Sequence, residues 1–376
     1  MTEAANLETP LHALHVALGA RMAPFAGYDM PIQYPMGVLG EHLHTRSKAG
    51  LFDVSHMGQA LLVGPSHEAI ARFLESLCPA DILNLGPGRQ RYSQILTDDG
   101  GCVDDFMIAR PPGADGELRL IVNAARKAVD YALILDRLTP GLMLTPQRTA
   151  ALIAIQGPLA AQTINALAPH ESLDRMGFMA ARPAKIGGYE TFVTRSGYTG
   201  EDGYEISIPA AAAESLAKAL LAQPGVAPIG LGARDSLRLE AGLCLYGHEL
   251  DETVDPVEAG LVWSIQKRRR LEGGFPGAAR IQRALAEGPR RLRVGLRPEG
   301  RAPARDGAEI VSAEGSKIGI VTSGGFGPSV GGPIAMGFVE AAHAKVGTPV
   351  GLVVRGKALP AAIAPLPFHP HAYYRG

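Results

Sequence analysis

An α+β chain ending in a separate all-β unit is the fold class the sequence predicts, and three observations predict it. Helical periodicities alternate with short strand patterns from the N-terminus onward. After about residue 283 the strand patterns follow one another without helices. Glycine and proline punctuate that tail, as expected of a small antiparallel barrel or sandwich.

The first element reads as a helix with Thr9 as N-cap, Pro10 at its first position, an apolar stripe through Leu11, Leu14 and Leu18, and Gly19 at its end. His12 and His15 lie on it, three residues apart, with neither cysteine nor carboxylate at ligand spacing, so no metal site is expected. Further helical patterns cover 66–77, 124–138, 158–167, 210–222 and 232–242. Strand candidates between them are 59–63, 117–122, 152–156 and 191–195. In the tail the strand candidates are 293–296, 309–311, 317–321, 334–338 and 350–354. The turn-rich stretch 267–277 is the expected linker, and its Lys267 to Arg270 run reads as a solvated face or a docking patch for a partner protein.

Composition bounds the function. Apolar residues make up 46% and charged residues 19%, ordinary for a globular enzyme. Lys plus Arg number 36 against 37 Asp plus Glu, so no global field draws nucleic acid or an anionic membrane. The apolar runs fall far short of the roughly 20 residues a membrane-spanning helix needs. Cys78, Cys102 and Cys244 are isolated from one another and read as free thiols of a reducing compartment. The opening MTEAANLETP has neither a basic and apolar signal pattern nor an Arg-rich amphipathic one, so the expected compartment is the cytoplasm.

Three segments carry candidate chemistry. In RYSQILTDDGGCVDDFMIAR, from Arg91, two strand-like runs flank a turn at Asp98 to Gly101, which predicts a hairpin. Asp104 and Asp105 follow the turn, and strand alternation sends one inward if the other faces out. An inward carboxylate must be paired or poised for a task. A calcium loop is excluded by spacing and by the missing closing glutamate.

In RSGYTGEDGYEISIPA, from Arg195, the glycines lack the phosphate-loop spacing and predict a tight turn instead. The strand that leaves it alternates, with Tyr204, Ile206 and Ile208 on one face and Glu205 and Ser207 on the other. Glu205 is either a solvated charge or an acceptor for a ligand with adjacent N–H donors, such as an aminopyrimidine ring. In the third segment, from Gly232 to Trp263, Arg234 and Arg238 sit four apart on a helix and require nearby anions, for which Asp235 and Glu240 are candidates, unless Arg234 holds a ligand carboxylate. Trp263, the single tryptophan, stacks on a ring or fills a core.

Taken together, MAPFAGYDMPIQYP, AGLFDVSHMGQ, GGCVDDFMI, ALIAIQGP, RSGYTGEDGYEISIP, GLGARDSLRLEAGLCLYGHELDE, KRRR and TSGGFGPSVGGPIAMGFV resemble, in order and spacing, the T-protein family of the glycine cleavage system. The resemblance implies three domains around a central folate channel. They are residues 1–55 with 150–275, residues 56–149, and a C-terminal barrel over 283–376.

It also implies transfer of the one-carbon unit from an aminomethyl group on the lipoyl arm of an H-protein partner to tetrahydrofolate as co-substrate, with release of ammonia and no metal. The family pattern makes Asp105 the key acid beside the reactive folate nitrogens. It puts Met57, Tyr92 and Asn123 near the reacting end and Tyr198, Glu205, Arg234 and Trp263 along the folate. Three departures stand out: Phe178 where some relatives have tyrosine, Gly327 where serine is common, and Cys102 in place of a branched aliphatic residue. Two alternatives share the scaffold. A folate module of an amine-oxidising enzyme usually carries a flavin domain for which there is no room here, and a folate-binding iron–sulfur assembly factor carries a KGCYxGQE-like segment that is missing.

Overall fold

A computed structural model describes residues 5–376. Two sheets and a barrel organise the chain. The six-stranded sheet runs Ala181–Ile186, Tyr189–Thr194, Gly203–Pro209, Ala150–Gln156, Ala49–Asp53, Val226–Pro228, antiparallel except for its last pair. Alternation decides its faces. Tyr204, Ile206 and Ile208 join Ile153 and Ile155 in a core closed by Leu14, Ile164, Leu216 and Leu220 from three helices. The opposite face carries Glu205 and Ser207.

The five-stranded antiparallel sheet runs Arg89–Leu96, Cys102–Arg110, Glu117–Val122, Gly58–Val63, Met143–Pro146. Helices His67–Glu75 and Lys127–Asp136 cover its back through Ile70, Leu74 and Ile134. Its uncovered face, with Gln59, Tyr92 and Asp105, looks toward the Glu205 face of the first sheet, since residues from both border the same cavities. The tail is a closed six-stranded barrel rather than a sandwich, which leaves no free edge. Among the described residues no helix is long and apolar enough to cross a membrane.

Three expectations require correction. The first helix is only His12–Ala17 and has no side-chain cap, because the Thr9 hydroxyl donates instead to Asp53 Oδ2 (2.6 Å), 44 residues away. The stretch 267–277 is not turn throughout: Lys267–Glu272 is helical. The basic run is solvated only in part: Lys267 is exposed, but Arg268 binds Glu75 and Asp81, and Arg269 Nη2 donates to the Glu75 carbonyl (2.5 Å). Nor does either aspartate of the pair face out. Asp104 is fully buried, and Asp105 is half-buried and borders a cavity.

Candidate functional site

A cavity of about 540 Å³ lies between the two sheets, walled also by the helix Leu231–Glu240, the irregular segment after it, the barrel and the C-terminal tail. Its size falls within the range of small-molecule sites. Met57, Tyr92, Asp105, Asn123, Tyr198, Glu205, Arg234 and Trp263 all border it.

At one wall the hairpin Arg89–Leu96 and Cys102–Arg110 presents Asp105. Asn123, just beyond the next strand, spans both aspartates: Nδ2 donates to Asp105 Oδ1 (2.8 Å) and Asp104 Oδ1 (2.9 Å), while its backbone N–H donates to Asp104 Oδ2 (2.9 Å). Burial and the neighbouring Asp104 charge push the Asp105 carboxyl up to about 7, against the opposing hydrogen bonds of Tyr92 and Asn123. Beneath it, burial and the Asp104 charge drive Asp130 up to about 10, so this acid stands protonated beside Asp104. The result is a carboxyl whose proton affinity sits near neutrality, as a proton-transferring group requires. The Tyr92 ring in turn stacks on Trp263 with centroids 5.4 Å apart and planes 23° off parallel. Trp263 fills no core, being 58% exposed.

Facing this wall, Glu205 accepts from the Ser196 hydroxyl at Oε2 (2.8 Å), and burial raises its pKa although Ser196 and Arg234 oppose the shift. The glycine loop before the strand is shaped by Gln156. Its Nε2 donates to the Ser196 carbonyl (2.8 Å) and its Oε1 accepts from the Thr199 hydroxyl (2.9 Å), and a Cβ at Gly197 would come within 1.8 Å of that oxygen. Glycine here lets the loop close over an amide, not over a phosphate.

Arg234 places its guanidinium 4.4 Å from the centre of the Tyr198 ring and forms no ion pair among the described residues. The Tyr198 hydroxyl donates to the Cys244 carbonyl. The anion question resolves unevenly. Asp235 and Glu249 hold Arg238, whereas Glu240 turns away to His42 and Arg46. Arg234 is therefore an uncommitted cation on the cavity wall.

The C-terminal tail supplies residues that sequence reasoning missed. Tyr373 stacks on Phe178 with centroids 4.1 Å apart and planes 9° off parallel, so the ring at position 178 is used, and Arg375 borders the same space. The Ala372 N–H donates to the Gly200 carbonyl (2.8 Å) and the Phe178 N–H to the Tyr374 carbonyl (2.6 Å), tying the tail down. The aromatic and basic AYYR ending was the available signal. Cys102 is fully buried, with burial raising its thiol pKa, as a small hydrophobe would be. A Cβ on Gly327 would lie 3.1 Å from Glu240 Oε1. His12 is bonded to Asp29, and His15 lies between Asp53 and Tyr34; among the described residues no three metal-ligating side chains converge.

Comparison with known proteins gives a consistent picture. Residues 11–269 match the model of the GCVT N-terminal domain, and residues 290–369 match the glycine cleavage T-protein C-terminal barrel domain. A mitochondrial aminomethyltransferase of Gallus gallus is 46% identical over 98% of this chain and 93% of its own. The corresponding protein of Dictyostelium discoideum is 43% identical over 97% and 93%. The crystal structure of the glycine cleavage system aminomethyltransferase T from Bartonella henselae superposes with a TM-score of 0.92 at 41% identity, covering 98% of this chain and 99% of that one.

Proposed function

Because the chain belongs to the glycine cleavage T-protein family, we propose that the cavity between its two sheets receives tetrahydrofolate, with the reactive nitrogens beside Asp105 and the pterin edge at Glu205. The chain is an aminomethyltransferase. The observation that carries the assignment of roles is the Asp105 carboxyl, walled into the cavity with a pKa near 7.

The carbon of an H-protein aminomethyl-dihydrolipoyl group loses its bonds to sulfur and to the amine nitrogen and gains bonds to the two folate nitrogens. The two protons those nitrogens lose appear on the released ammonia and on the dihydrolipoyl thiol. Asp105 suits the handling of these protons, since a group with a pKa near the working pH both accepts and returns one at little cost. Its negative form also stabilises positive charge on the one-carbon unit as ammonia leaves.

The rest of the wall fits a folate. Glu205 accepts a planar pair of N–H bonds from the aminopyrimidine edge, and Arg234 meets an anionic or carbonyl part of the molecule. Met57, Tyr92, Tyr198 and Trp263 supply apolar and aromatic contact area, and Asn123 fixes the Asp105 carboxyl. Residues 1–55 with 150–275, 56–149 and 283–376 are taken as the domains that enclose it. A reducing compartment such as the cytoplasm fits the three free buried thiols, while the relatives named above are mitochondrial. The test is ammonia release from aminomethylated H-protein: addition of tetrahydrofolate should accelerate it strongly, and an unchanged rate would refute the assignment.

A further inference from the structure

Behind Glu205 lies a second, smaller space of about 60 Å³, bordered by Gln59, Gln90, Arg119, Gln147, Glu205 and Ser207. Glu205, Met107 and Ile121 border both spaces, so Glu205 belongs to the wall that the small compartment shares with the large cavity. The small compartment is too confined for a substrate. It exceeds the roughly 10–15 Å³ that one water requires.

Its polar inventory is unbalanced. Gln90 lies on the strand Arg89–Leu96, two residues before Tyr92 and on the same face, and is 4% exposed. Neither its Oε1 nor its Nε2 meets a partner among the described residues. Gln59 accepts from the Ser207 hydroxyl at Oε1 (2.6 Å), while its Nε2 has no acceptor among the described residues. Much of the surrounding wall is apolar, with Ala109, Leu152 and Phe192. An amide kept in such surroundings without partners would carry its full desolvation penalty.

We infer that the compartment holds buried water joining the Gln90 and Gln59 amides to the rear of Glu205, and that Gln90 is thereby a positioning residue for folate, acting through Glu205. The inference rests on the reading of Glu205 as the pterin acceptor. Donors delivered through water from behind keep the carboxylate ionised and aimed across the large cavity, where only that form accepts two N–H bonds. The titratable and charged groups that border these spaces with Glu205 are Arg119, Tyr92, Asp105, Tyr198, Arg234, Cys244, Tyr246, Arg293, His371, Tyr373 and Arg375. Of these, Arg234 favours the ionised form of Glu205, in concert with the Ser196 hydroxyl, against burial.

The test compares wild type, Gln90→Leu and Glu205→Gln by calorimetric titration with tetrahydrofolate over a range of pH, together with kcat at saturating folate. Gln90→Leu should weaken folate binding roughly three- to tenfold near neutral pH. The loss should grow as pH falls, because without its rear donors Glu205 protonates more readily, and kcat should be unchanged. Affinity equal to wild type, a loss of the same size at every pH, or a loss confined to kcat would overturn the inference. If Glu205→Gln itself leaves affinity unchanged, the reading of Glu205 fails. If Glu205→Gln weakens binding while Gln90→Leu does not, only the water bridge fails. Should Gln90→Leu not fold, a high-resolution crystal structure of the wild type decides: ordered water within hydrogen-bonding reach of both Gln90 and Glu205 is expected, and its absence from that density refutes the bridge.

Discussion

Asp105 differs from an ordinary surface aspartate by two features, burial and the adjacent Asp104 charge, and both raise its proton affinity to about 7. The carboxylate is the form that stabilises positive charge, so turnover should rise with pH through about 7 and level off above it. Asp105→Asn keeps an acceptor for Asn123 Nδ2 but cannot exchange a proton. It should bind tetrahydrofolate within a few-fold of wild type while kcat falls about 10²- to 10⁴-fold and loses its acid limb, as single-turnover assays across pH would register. At this scale the strand alternation around Glu205 was legible, because three buried apolar neighbours, Tyr204, Ile206 and Ile208, fix the face. The Asp104 and Asp105 pair was not. Alternation sends one side chain outward only if nothing covers that side, and here Asn123 and Asp130, brought in by the next strand and helix, bury Asp104 from behind.

Elements are held by contacts that local patterning does not reveal. The hairpin bearing Asp105 turns at Gly100 and Gly101, and a Cβ on Gly101 would lie 1.8 Å from the Glu252 carbonyl oxygen. The turn is thus glycine-rich for two reasons, of which only the positive φ of 84° at Gly100 is a property of the turn itself. Gly101→Ala must push the 252 segment away and should destabilise the fold by about 2 kcal/mol or more, seen as a lower urea midpoint with an unchanged slope. The helix Lys267–Glu272 teaches the same lesson. A run of four basic residues looks solvated until Glu75 and Asp81, 193 and 187 positions upstream of Arg268, are placed beside it. Likewise the Thr9 hydroxyl, a plausible helix cap in isolation, is drawn to Asp53 instead.

Across the whole molecule, the succession of helix and strand patterns and the change to strands alone in the tail made the α+β class and the β-rich end readable. The way the parts join was not readable, because Glu240 connects groups distant in sequence. It accepts from His42 Nε2 (3.0 Å), Arg46 Nη2 (3.1 Å) and the backbone N–H of Ser329 (2.7 Å), clamping the barrel to the first sheet's helices. Burial would raise its pKa, but His42, Ser329 and Arg46 outweigh burial and bring it down to about 2. A depressed carboxyl stabilises the fold fully above its unfolded value near 4.5 and loses that contribution as pH falls toward 2. Glu240→Gln should therefore be less stable than wild type near neutrality, with the gap narrowing on acidification, in denaturant titrations at stepped pH.

Whether a reduced folate spans the two facing sheets from Asp105 to Glu205 is decided by a crystal structure of this chain with tetrahydrofolate. The aminopyrimidine edge should be hydrogen-bonded to Glu205 and the reactive nitrogens should lie next to Asp105, between the Tyr92 and Trp263 side and Arg234. Folate seated outside the cavity, or bound inside it with its pterin edge turned away from Glu205 and its reactive nitrogens distant from Asp105, would contradict it.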